Sequence, residues 1–99
     1  MKTIERALKL LEYVVLQGRG VGTRESARFL GVSPSSAHRL LRALVGLGFL
    51  VQDERTSEYT PGLELYRLAA SLLESSALTQ AARGPMEKLA AHTGEPVCL

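Results

Sequence analysis

GVSPSSAHRLLRALVGLG, residues 31–48, holds a helix stop, a helix start and one apolar helical face in immediate succession. Gly31 can take the left-handed conformation that stops a preceding helix. Ser33 is a side-chain cap and Pro34 a first helical residue, since proline's missing N–H has no partner at that position in any case. Behind them Ala37, Leu40, Leu41, Leu44 and Val45 recur at three- and four-residue steps and make one apolar face. Gly46 and Gly48 end the run. The other side of the same helix carries Ser35, Ser36, His38, Arg39 and Arg42, so its back is made for a core and its front is polar and cationic.

Upstream, a short helix over about Arg24 to Leu30 buries Ala27 and Leu30 and stops at Gly31. Before it, Ile4, Ala7, Leu8, Leu11, Val14 and Val15 form a stripe that predicts a helix from Thr3 to Gln17, with Thr3 as its cap and Gly18-Arg19-Gly20 as its end. Downstream, Phe49 to Gln52 reads as a strand, Asp53 to Glu58 as a polar turn and Tyr59-Thr60 as the returning strand, with Pro61-Gly62 as a boundary. Two helices joined by a short glycine-containing turn and followed by a hairpin spell a winged helix-turn-helix, assigned to residues 1–62. Leu63, Leu65, Leu68, Ala69, Leu72 and Leu73 predict a fourth helix over 63–76, whose Ser71, Ser75 and Ser76 give it the polarity of a linker. A further helical pattern from Ala77 to His92 is broken at Gly84-Pro85, and Val97-Cys98-Leu99 resembles the start of a strand in a chain that continues. The expected fold class is mainly α with a small β-hairpin: a winged helix-turn-helix followed by a linker helix.

Composition narrows the function classes. With 45% hydrophobic and 22% charged residues, the 99-residue chain has the balance of one small globular domain and a tail. No apolar run is long enough to span a bilayer and no secretory signal opens the chain, so a cytoplasmic protein is expected. The single cysteine, Cys98, excludes an internal disulfide and reads as a small buried hydrophobe. Net charge is only +2, yet residues 1–50 hold eight Lys and Arg against three Glu, while residues 51–99 hold four against seven acids. A basic half beside an acidic half suits a domain with one surface turned to a polyanion.

The third helix carries the chemistry that this surface needs. Backbone N–H groups and the helix dipole at its start favour phosphate. Serine hydroxyls can bond base edges or phosphates, and arginine reads guanine bidentately or anchors a phosphate. His38 can do either. Ser33 serves as a cap, and Ser36 can share that role. Arg55 at the hairpin tip has two readings, a solvated charge or a wing cation entering the minor groove.

The opening Ile4-Glu5-Arg6-Ala7-Leu8, the run from Gly31 to Leu41, Leu44 through Gly48, Gln52-Asp53 and the tail Thr93-Gly94-Glu95-Pro96-Val97 resemble the N-terminal domain of the IclR family of bacterial transcription regulators. The resemblance implies that Ser35, Ser36 and Arg39 face a double-stranded DNA operator with His38 and Arg42 beside them. It also implies binding to palindromic sites as a homodimer or higher homo-oligomer, as a repressor or activator of metabolic genes. Residues 63–76 match the family's linker helix, and 77–99 the start of a truncated C-terminal domain that binds a small-molecule effector. The sequence departs from the family pattern at Ser26, where an apolar residue is usual, and at Thr23, often leucine, so looser packing of the second helix is expected.

A protein-interaction or dimerisation module without DNA binding is the competing assignment, since winged helices also serve that role. The placement of Arg39 and Arg42 disfavours it. No enzyme is expected: His38 and His92 are isolated, no nucleophile has a base at a suitable spacing and no glycine-rich phosphate loop occurs, and neither cofactor nor metal is called for.

Overall fold

Helix formation follows the caps and stops of the sequence with a few displacements. The structure, a computed structural model, describes residues 2–75. Its elements run α1 (Lys2–Gln17), α2 (Thr23–Leu30), α3 (Pro34–Gly46), β1 (Leu50–Gln52), β2 (Tyr59–Pro61) and α4 (Leu63–Glu74), the mainly helical, hairpin-bearing class read from the sequence. The readings for Ser76, the broken helix over 77–92 with His92, the strand start at 97–99 and Cys98 lie outside the described residues.

Thr3 does not cap α1, because the helix already begins at Lys2. The apolar stripe is also rotated from its expected position. Leu10 and Val14 are fully buried, Ala7 and Leu11 are half-buried, and Ile4, Leu8 and Val15 are exposed, Leu8 by 61%. Leucine and valine occur around most of the circumference of α1, so periodicity selects a helix there but not the side that meets the core.

α2 starts after Gly22 with no side-chain cap. Ser26 is fully buried, and its hydroxyl donates to the Gly22 carbonyl at 2.9 Å. That bond back onto the preceding turn lets α2 carry a polar side chain in the interior without an unsatisfied group. Gly31 closes the helix at φ 70°, with its N–H and that of Val32 both donating to the Ala27 carbonyl. An L side chain is strained in this conformation, and glycine is not.

The hairpin pairs Leu50 with Pro61, Val51 with Thr60 and Gln52 with Tyr59, antiparallel. Val21, in the connection between α1 and α2, adds a bridge that the sequence did not signal: its N–H donates to the Tyr59 carbonyl at 3.0 Å, and the Tyr59 N–H returns a bond of 2.8 Å. Leu10, Val14, Val21, Leu41, Leu44, Leu50 and Tyr59 form the core beneath. At the sequence boundary, Gly62 donates to the Phe49 carbonyl. A Cβ on Gly62 would collide with the Gly48 carbonyl and come within 2.9 Å of the Leu50 nitrogen, so two backbones cross there with room for nothing larger than hydrogen.

The chain divides into two units, Met1–Leu65 and Tyr66–Leu99. The first holds all the elements above and the first turn of α4. In the second, the described residues continue α4, where Tyr66, Leu68 and Leu72 are exposed.

A three-residue cluster sets α2 against α1. Arg19 donates to both carboxylate oxygens of Glu25, at 2.9 and 2.7 Å, and the Tyr13 hydroxyl donates to the same carboxylate at 2.6 Å. The Tyr13 ring stacks on Phe29, centroids 4.1 Å apart. The Arg19 and Tyr13 hydrogen bonds hold the Glu25 carboxyl at about 2 against its ordinary 4.5. Its folded value is therefore depressed, and the stabilisation is complete above 4.5 and lost as the pH falls towards 2. Glu25→Gln is expected to lower the urea midpoint slightly at pH 7, the Arg19 side chain being 55% exposed and well screened. The difference from the parent protein should shrink below pH 4.5 and disappear as the pH falls through 2; urea titrations of both proteins across that range check it.

Candidate nucleic-acid interface

The candidate surface is built on α3. The Ser33 hydroxyl accepts from the Ser36 N–H at 3.2 Å and donates to the Ser36 hydroxyl at 3.1 Å, so Ser36 belongs partly to the cap and keeps its own proton for an external acceptor. Pro34 follows as the first helical residue. No carboxylate sits in the first turn, which leaves the positive end of the helix dipole uncompensated. Ala37, Leu41 and Leu44 are buried, and this anchoring turns Ser35, His38, Arg39 and Arg42 outward, all exposed, with Ser36 half-buried beside them.

Arg42 has a second task that sequence reading missed. Its Nη1 donates to the Gln52 side-chain oxygen at 3.0 Å, and the Gln52 amide nitrogen donates to the Ser57 carbonyl at 3.2 Å. α3, β1 and the wing are thus braced by one relay of side chains. The wing turns on Asp53, whose carboxylate accepts from the N–H groups of Arg55 at 2.7 Å and Thr56 at 3.2 Å. Its backbone bonds to Glu58 and Ser57 at 2.8 Å each, while Ser57 occupies a left-handed φ of 62°. Asp53 at the head of a polar stretch was the available signal for this turn. Gln52 had no such signal, because its partners lie 5 and 10 residues away.

The structure therefore gathers Ser35, Ser36, His38, Arg39 and Arg42 on one helix and carries Arg55 on the exposed hairpin tip. Arg55 is the only cation between β1 and β2, where it shares the turn with Asp53, Glu54 and Glu58. α3 carries Arg39 and Arg42 with no carboxylate of its own, whereas Arg55 cannot approach a polyanion without bringing Asp53 and Glu54 with it.

The IclR helix-turn-helix domain matches residues 3–54, which include α1, α2, α3 and β1. The chain belongs to the IclR family. Among its relatives is the glycerol operon regulatory protein of Streptomyces coelicolor, 33% identical over 99 residues, the whole of this chain and 39% of that protein. The acetate operon repressor of Salmonella typhimurium is 29% identical over 99 residues, covering all of this chain and 36% of the repressor. Among solved structures, an IclR transcriptional regulator from Alicyclobacillus acidocaldarius superposes with a TM-score of 0.77 at 26% identity, over 95% of this chain and 38% of that one. A putative IclR regulator from Silicibacter sp. TM1040 gives 0.73 at 31% identity, over 94% and 37%. The chain thus spans less than two fifths of the length of these relatives. They are named as regulators and repressors, not as enzymes, and among the described residues of this IclR chain no helix is long and apolar enough to cross a membrane.

The brace from Arg42 through Gln52 to Ser57 yields a test of the wing. Gln52→Ala is expected to cost only about 0.5–1 kcal/mol of global stability, a typical loss for a hydrogen-bonding side chain. Amide exchange over residues 53–58 should rise while the core amides of α3 keep their protection; hydrogen-exchange mass spectrometry reads both.

Proposed function

We propose that this chain is the DNA-reading part of a sequence-specific transcription regulator whose target is a palindromic double-stranded operator, bound as a homodimer. The observation that carries the proposal is the outer face of α3, where Ser35, His38 and Arg39 are exposed just beyond a serine-capped N-terminus free of carboxylates. Such a helix fits the major groove, with Arg39 reaching a base edge or a phosphate and Ser35 and Ser36 bonding beside it. His38 and Arg42 flank that contact, and Arg55 reaches the adjacent minor groove from the wing. α4 serves as a linker helix, and residues 77–99 belong to a domain that takes a small-molecule effector. The regulator acts in the cytoplasm as a repressor or activator of metabolic genes.

Selection of duplexes from a random-sequence pool tests the assignment. An inverted repeat is expected, its half-sites about 34–36 Å apart or a multiple of that, with affinity that falls steeply as salt rises. Arg39→Ala should lose about 1–3 kcal/mol on the selected site and relax its sequence preference. Absence of salt-dependent binding to any duplex would instead favour a protein-interaction module.

Dimer formation is supported by Ile4, Leu8, Val15 and Leu16, apolar side chains of α1 that the core leaves exposed. Leu8→Glu is expected to shift sedimentation equilibrium to monomer and to abolish cooperative binding to the two half-sites. Identical monomeric behaviour of parent and variant at the highest soluble concentration would remove α1 from the dimer contact.

A further inference from the structure

Beside the outer face of α3, and sharing Ser36 and Arg39 with it, one hollow on the first unit is lined by cationic and hydroxyl-bearing residues. It is a cleft of about 330 Å³ between the start of α1 and the start of α3, lined by Thr3, Arg6, Val32, Ser36, Arg39 and Leu40. Two arginines and two hydroxyl-bearing residues are among those that line it, and no acidic residue is. Among the described residues neither Arg6 nor Arg39 is engaged in an ion pair. The Ser36 hydroxyl, which accepts from Ser33, retains a proton to donate.

The placement follows from how α1 is seated. Leu10 and Val14 hold one face of the helix in the core, and one and two turns earlier that face continues as Arg6, Ala7 and Thr3. The core ends before those positions, since Thr3 and Arg6 are exposed. They overhang the beginning of α3 instead of being buried against it. On its other side Arg6 also borders a second hollow, whose charged lining residues are Lys2, Glu5, Lys9 and Glu12.

We propose that Thr3 and Arg6 of the first helix join Ser36 and Arg39 in holding one backbone phosphate of the duplex, beside the groove that α3 enters. The proposal rests on the DNA-reading assignment of α3 and extends the contact surface to an element outside the helix-turn-helix. Arg6 contributes charge and no base contact, so its contribution is independent of sequence, whereas Arg39 lies where cleft and recognition face meet and affects both.

The test uses the full chain and two duplexes of equal length, the selected site and a scrambled version, titrated across salt concentrations. Arg6→Ala should weaken binding to both by the same factor, roughly tenfold at 0.1 M salt, and reduce the slope of log K against log salt by about one, as expected for one lost phosphate contact. The ratio between the two duplexes should stay constant, Arg6→Lys should keep most of the slope, and Arg39→Ala should lower the ratio. Thermal melting of Arg6→Ala, a change at an exposed position, verifies that the fold persists. Parental affinity and slope in a folded Arg6→Ala protein overturn the proposal, as does a change in the ratio with no change in slope. Saturable binding of inorganic phosphate by calorimetry, abolished by Arg6→Ala while the DNA slope is unaltered, overturns it in favour of a free small anion. Should the parent chain bind neither duplex in a salt-dependent way, the DNA-reading assignment itself fails, a result distinct from failure of Arg6 alone.

Discussion

The two-way backbone bond between Tyr59 and Val21 holds together parts of the chain that are otherwise far apart in sequence. Tyr59 pairs with Gln52 across the hairpin and, on its other edge, exchanges both amide bonds with Val21 in the α1–α2 connection. Its ring is fully buried beside Leu10, Val14 and Leu41, a gain of about 1.5–3 kcal/mol for an apolar side chain that burial of an unpaired hydroxyl, costing about 1–3 kcal/mol, largely offsets. The hydroxyl finds no partner among the described residues, so Tyr59 acts here as a hydrophobe and as backbone. Without that bridge the wing would be a two-stranded hairpin on its own, and isolated hairpins are marginal in water.

From this centre the recognition surface is positioned by opposite means on its two sides. α3 is rigidly seated, with three side chains in the core and a capped N-terminus. The wing hangs on an Asp53 turn and on the relay from Arg42 through Gln52, exposed hydrogen bonds that open at low cost. Asp53, Glu54 and Glu58 surround Arg55 in the wing, whereas α3 carries Arg39 and Arg42 with no carboxylate of its own.

Much of the candidate site was legible because it is local. The capped start of α3, its buried Ala37, Leu41 and Leu44 and its outward Ser35, His38 and Arg39 all follow from a single helical period, and the periodicity needs no knowledge of what the helix packs against. The interior side of α1 was misassigned for the complementary reason. Leu8 and Leu10 are equally apolar, and only the positions of α2, α3 and β2 determine which of them loses contact with water. The bridge of Val21 and the relay through Gln52 carry no local signal, because the partners of both lie farther away along the chain.

The order and kind of the elements, the αL stop at Gly31, the Ser33-Pro34 start and the polarity of the α3 face follow from the order of residues alone, since caps, turns and helical periods are set by neighbours within a few residues. The burial of Leu10 and exposure of Leu8, the bridge of Val21 to the hairpin, the tie of Arg42 to the wing and the placing of Thr3 and Arg6 beside Ser36 and Arg39 arise only when the elements pack. The physical reason is that burial and long-range hydrogen bonds belong to pairs of surfaces, and a pattern read along one chain describes only one surface of each pair.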